Sequence, residues 1–187
     1  MDKKACGPLD GVRNGKPHVR RTIFVFRFGP GPFLLNRAPM IVLFVLSGSL
    51  ILFRLLGSLG VQLFSTWHES AAYALAVMFC FTGVAHFGRM RTDLEKMVPP
   101  WVPNPKRAVW VTGLLEILGA IGLLLPEMRR PAGICLIAFL IAVFPANIHA
   151  AKSGVQLGDR PVTPLWVRGP MQVVLILLIA WTITAQQ

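Results

Sequence analysis

Residues Val109 to Leu125 read VWVTGLLEILGAIGLLL, an apolar run with one ionisable residue, Glu116, near its middle. A carboxylate at that depth costs about 2.5–3.5 kcal/mol to insert, so it is expected to face the protein interior and to have a task there. Gly113 and Gly119 stand three residues to either side of it and Ala120 four beyond. Those offsets share one helical face, where small side chains let neighbouring backbones close in. Glu116 is therefore the leading site residue. Its plainer role is a structural hydrogen bond to a neighbouring helix.

The rest of the chain extends this pattern. Of 187 residues 54% are hydrophobic, and the apolar residues fall in blocks of the length a bilayer demands. The class is a multi-pass membrane protein. A formal charge of +11 would suggest nucleic acid for a soluble protein, but here Lys and Arg lie mainly between the apolar blocks, as topology signals do. Nucleic-acid binding is excluded on that ground. Cys6, Cys80 and Cys135 are odd in number and widely spaced, with no CxxC. They read as free thiols, the last two as buried small hydrophobes, and not as a disulfide framework or a metal cluster.

Residues 1–37 carry eight Lys and Arg without sustained periodicity and read as a basic, disordered cytoplasmic tail. Met40 opens directly onto an apolar helix, which raises the expectation that translation begins there. The first spanning segment runs from about Ala38 to Phe64 and contains Arg54, expected to line a polar pocket or snorkel to the outer interface. Ser65 to Ser70 has no Lys or Arg and reads as an outside loop. The second segment, Ala71 to Phe87, carries Phe79, Thr82, Gly83 and His86 on one helical stripe. His86 is a hydrogen-bonding candidate rather than a metal ligand, since no second His, Cys or carboxylate sits at metal spacing beside it.

Gly88 to Arg107 is the longest internal connection, an amphipathic turn followed by the proline-rich MVPPWVPNP, with five basic residues that mark it as cytoplasmic. Asn104 and Pro105 form an N-cap and first-turn pair opening the third segment, which carries Glu116 about 17 Å along. Pro126 ends it, Glu127 to Arg130 reads as a tight turn, and the fourth segment spans Pro131 to about Ala150. Pro145 inside that segment frees the carbonyl of Ile141 just before Asn147 and His149. Thr163–Pro164 opens the fifth segment, where Arg168 and Gln172 are i, i+4 neighbours.

Lys and Arg number fifteen in the tail and alternate connections on one side, and two on the other. The positive-inside rule then gives five crossings, N-terminus inside and C-terminus outside. His86, Asn147, Arg168 and Gln172 all reach the inner leaflet in this topology, with Glu116 deeper. Those five residues make up the expected polar pocket.

The motifs FTGVAHF (81–87), MVPPWVPNP (97–105), TGLLEILGAIGLLLP (112–126), FPANIHAA (144–151) and TPLWVRGPMQ (163–172) together resemble the DoxX family of small bacterial membrane proteins. The resemblance covers about Ala71 to Trp181 and implies an all-α membrane protein with a four-helix transmembrane core over 71–184, the 38–64 helix being an N-terminal addition. It further implies an inner-membrane location and association with membrane redox complexes. His86, Glu116, Pro145, Asn147, Arg168 and Gln172 are the positions that match the family pattern.

Two functions from different classes follow as expectations. One is a quinone-linked, redox-associated subunit in which His86 and Arg168 donate to a polar headgroup and Glu116 accepts a proton. The chain has no haem pair, flavin motif or iron–sulfur spacing, so no covalently bound cofactor is expected, and electrons would need another membrane redox protein as partner. The other is a non-enzymatic partner or assembly subunit, or a homo-oligomer, whose Gly-rich faces dock membrane helices. A proton-coupled transporter is the weakest reading, because one acid and no internal repeat are sparse for that class.

Overall fold

The structure is a computed structural model that describes residues 37–154, 156–157, 160–161 and 163–184. The tail reading for 1–37 therefore falls almost wholly outside the described residues. Among those described, the chain forms six α-helices: α1 (Arg37–Ser58), α2 (Trp67–Ala85), α3 (Arg91–Met97), α4 (Pro105–Leu124), α5 (Pro126–Lys152) and α6 (Leu165–Thr184). A 3-10 turn at Gln62–Phe64 and a two-residue antiparallel pairing of β1 (Gln156–Leu157) with β2 (Arg160–Pro161) complete the list of elements.

Helices α1, α4, α5 and α6 are each long and apolar enough to cross a membrane, so the chain is a multi-pass membrane protein. The sequence predicts a fifth such segment at 71–87, and α2 falls short of that description. Its position explains why. α2 packs against α1, α4 and α6, and Ala71, Ala72, Ala74, Leu75, Ala76, Met78 and Phe79 are buried along it. A helix enclosed by other helices needs small side chains for close approach more than it needs large lipid-facing ones, and its first turn holds His68 and Glu69.

Contacts at both ends fix the directions. The His68 ring stacks on Trp181 at 4.0 Å, setting the start of α2 beside the end of α6. Phe87, just past α2, meets Trp110 near the start of α4. Gly119 and Gly122 of α4 face Leu136 and Ala132 of α5. Gly133 of α5 faces Ile179 and Ile183 of α6. The result is an antiparallel up-down-up-down bundle of α2, α4, α5 and α6, with α1 laid against α2. Leu75, Met78, Leu123, Leu136 and Ile179 are the large side chains closed off at its centre.

Several boundaries differ from the sequence reading, each for a local reason. α1 stops at Ser58 rather than Phe64 because Gly60 takes φ +97°, and Val61 N–H to Leu56 O (3.1 Å) with Gly60 N–H to Gly57 O (3.2 Å) form a Schellman cap. Arg54 then reaches across to donate to the carbonyls of Phe64 and Ser65, both at 3.0 Å, and lies 4.6 Å from the Trp67 ring. Residues 67–70 are not a loop but the first turn of α2. Thr66 and Glu69 make a reciprocal capping box there, a Thr-x-x-Glu signal present in the sequence. Thr66→Ala is expected to lower stability by about 1 kcal/mol, measured as a reduced thermal midpoint in detergent, while Thr66→Ser keeps it.

At the same end of the bundle, Leu125 alone separates α4 from α5, extended at φ −91° and ψ 115°. A residue before proline is pushed out of the helical region, and proline is at ease in a first turn, so Pro126 restarts the helix at once. Glu127 to Arg130 is therefore helical rather than a turn. Arg129 is only 6% exposed and donates through Nε to Leu123 O at 3.0 Å, satisfying one of the last carbonyls of α4. Asn104 occupies the N-cap position of α4, as expected, but in the left-handed conformation (φ 58°) and without a side-chain capping bond.

Candidate functional site

Glu116 lies eleven residues into α4, roughly 17 Å from its start by the rise of the helix. It is 8% exposed and faces α2. The approach there is set by glycines. A Cβ on Gly83 would stand 3.1 Å from Gly113 O and 3.3 Å from Glu116 Cβ. One on Gly113 would stand 2.6 Å from His86 Cβ. Neither position admits a side chain without moving a helix, so the two backbones meet directly beside the acid.

That contact brings His86 level with Glu116. His86 Nδ1 is 3.9 Å from Glu116 Oε2, and the same nitrogen is 3.0 Å from Thr82 O, one turn earlier on its own helix. The Thr82 hydroxyl faces the Glu116 carboxyl but also reaches Met78 O and Phe79 O, each at 3.2 Å. Glu116 Oε2 is buried without a hydrogen-bond partner. An unsatisfied buried oxygen of this kind asks for a proton, a water or a ligand atom. The sequence places His86 at the inner leaflet and Glu116 deeper; the structure puts them in one layer, because α4 begins well beyond the point where α2 ends.

Asn147, Arg168 and Gln172 form a second group, between α5 and α6. Arg168 Nη1 donates to Asn147 Oδ1 at 2.8 Å, Asn147 Nδ2 lies 3.4 Å from Gln172 Oε1, and Gln172 Nε2 donates to Leu140 O at 2.6 Å. The chain of bonds ends on the backbone one residue before Ile141, whose carbonyl loses its helical donor to Pro145. Gln172 thus braces the proline-loosened stretch of α5. Among the described residues, no hydrogen bond or ion pair joins this group to the His86–Glu116 pair. Hydrogen bonding thus divides the five expected residues into a His86–Glu116 pair and an Asn147–Arg168–Gln172 group.

Sequence reasoning missed two features. Arg129, expected in a turn, is buried and bound to the backbone. Arg91, Lys106 and Arg107, read only as topology markers, line a common hollow of about 250 Å³ with Trp110 and Val111. The signal for it was available: Lys106 and Arg107 occupy the first turn of α4, which contains no acid. Cys80 is half-buried, and Cys135, expected to be buried, is exposed on α5. Among the described residues no three His, Cys, Asp or Glu side chains gather as a metal would require.

No curated protein and no solved structure matches the chain. Residues 75–184 match a family model described as a domain of unknown function, DUF8561, and not a DoxX model. The DoxX resemblance is thereby corrected. Its motifs are built of small and apolar residues with scattered prolines, which any tight helical bundle in a membrane favours, so their agreement over short stretches was not specific to one family. With more than half its length matched, the chain belongs to the DUF8561 family.

Proposed function

We propose that the protein is a redox-associated subunit of the bacterial inner membrane, N-terminus inside, in which Glu116 and His86 receive the polar headgroup of a quinone between α2 and α4. One observation carries this reading: Glu116 Oε2 is buried and lacks a hydrogen-bond partner, 3.9 Å from an imidazole nitrogen. A quinol hydroxyl placed there would donate to the carboxylate, and the acid would take up the proton released on oxidation. Electrons would pass to a separate redox protein. Arg168 Nη1 is engaged by Asn147, so this reading rests on His86 and Glu116.

Quinone or quinol in the lipid extracted with the purified protein, and weakened quinol binding by Glu116→Gln under reducing conditions, test the reading. A hydrogen bond to a charged group is worth about 1.5–3 kcal/mol, so the variant, which has lost the carboxylate that accepts the quinol hydroxyl, is expected to bind quinol roughly ten- to a hundredfold more weakly while remaining folded. Wild-type protein that neither retains quinone nor binds it in titration sinks the idea.

A second reading, a non-enzymatic partner or assembly subunit, is favoured by the Asn147–Arg168–Gln172 group, whose hydrogen bonds tie α5 to α6 as structural polar contacts do. On that reading Glu116→Gln changes neither fold nor the membrane proteins that purify with the chain, because glutamine still hydrogen-bonds.

A further inference from the structure

We propose that the hollow formed by Arg91 of α3 and Lys106, Arg107, Trp110 and Val111 of α4 binds the phosphate of an anionic phospholipid. The hollow measures about 250 Å³. It lies at the start of a helix long and apolar enough to cross a membrane, where a lipid headgroup would sit. This inference rests on the membrane assignment and is independent of the quinone reading.

The charges are arranged for an external anion. Asp93 and Glu95, the two acids of α3, are both engaged within that helix: Glu95 with Arg91 at 3.1 Å, Asp93 with Lys96 at 2.7 Å. Among the described residues neither Lys106 nor Arg107 has an acidic partner, and both are exposed. They also stand in the first turn of α4, where the helix presents its positive end and no acid compensates. Cations in that position repel the helix dipole, and a phosphate between them relieves both.

The depth order fits a lipid rather than a soluble ion. Val111 lies five residues beyond Lys106, about 7 Å deeper along the helix axis. Along α4 the lining passes from Lys106 and Arg107 to Trp110 and Val111, about one turn further in. Cations followed by an apolar pair match a lipid phosphate followed by its ester and acyl region. Trp110 is 49% exposed, yet its ring is held edge-on to Phe87 at 5.6 Å, so the wall is preformed. Tryptophan at this level is at home among ester carbonyls.

Fluorescence quenching by brominated lipids reads occupancy directly. Full-length protein is reconstituted into phosphatidylcholine vesicles containing, at equal mole fraction, either brominated phosphatidylglycerol or brominated phosphatidylcholine, and the Trp110 contribution is taken as the difference from Trp110→Phe. Brominated phosphatidylglycerol is expected to quench Trp110 more strongly. The apparent preference falls by about tenfold or more in the Lys106→Gln/Arg107→Gln double variant and survives in Lys106→Arg/Arg107→Lys, which keeps the charge. Equal quenching by the two lipids overturns the proposal, as does a preference that persists in the Gln variant. Relief of the quenching by millimolar inorganic phosphate, at matched ionic strength, assigns the hollow to a free anion and overturns it equally.

Discussion

Gly113→Val is expected to disrupt the bundle, with a loss of about 3 kcal/mol or more that appears as aggregated protein on purification and a collapsed thermal midpoint. The size of the effect follows from what the new atoms would meet. A Cβ at 113 would lie 2.6 Å from His86 Cβ, 3.0 Å from Phe87 Cε2 and 3.1 Å from Gly83 O. Only the Phe87 ring can swing away. The other two are anchored to the α2 backbone, so relief requires the helices to separate, and the Leu75–Met78–Leu123 centre lies on the same pair of helices.

Gly119 offers a comparison. Its Cβ would meet Leu136 Cδ2 at 2.5 Å and Cγ at 2.7 Å, parts of a flexible side chain that can change rotamer, so Gly119→Ala should cost less than Gly113→Ala. Gly48 of α1 has nothing within 4 Å of its Cβ position; Gly48→Ala is expected to be neutral or to stabilise by up to about 1 kcal/mol. If Gly113→Val melts with the wild type, the α2 and α4 backbones do not touch there, and Glu116 is not enclosed in the way described.

These glycines show how much of the molecule the sequence expressed. The spacing of Gly113, Glu116 and Gly119 placed the acid on a small-residue helical face, because helical periodicity depends only on neighbours along the chain. It did not reveal that Gly113 serves α2 while Gly119 serves α5, since which helix lies on which side is a property of the assembled bundle. The same limit divided the polar residues. Arg168 and Gln172 were legible as i, i+4 neighbours, and Asn147 as the amide beside Pro145. That those three satisfy one another and leave His86 and Glu116 as a separate pair depends on long-range contacts between α5 and α6. Position along a helix misled as well. His86 ends its helix and so reads as interfacial, but α2 ends short of the start of α4, and the imidazole meets the carboxylate instead. The helix ends, by contrast, were written locally. Gly60 and the Thr66–Glu69 box carry the signals that end α1 and begin α2.

Asn147→Leu is expected to cost about 2–3 kcal/mol, more than a typical hydrogen bond within a membrane bundle, for which measured couplings average about 0.6 kcal/mol. The difference arises from what the substitution leaves behind. Leucine fills nearly the same space but takes away the oxygen that Arg168 Nη1 holds at 2.8 Å, and the amide facing Gln172 Oε1. A half-buried guanidinium without its acceptor carries a desolvation penalty that an unpaired neutral group would not. Asn147→Asp keeps the acceptor and opposes the charge with another, giving up only the long 3.4 Å contact to Gln172, so it should remain near wild-type stability. Arg168 has one alternative, to swing its head toward the bilayer surface, and that would reduce the penalty. The pair of variants separates these outcomes. A large gap between Asn147→Leu and Asn147→Asp in thermal midpoint places the guanidinium inside the α5–α6 tie, whereas near-equal midpoints mean that Arg168 reaches water and that Gln172, through Leu140 O, braces the proline-bearing helix alone.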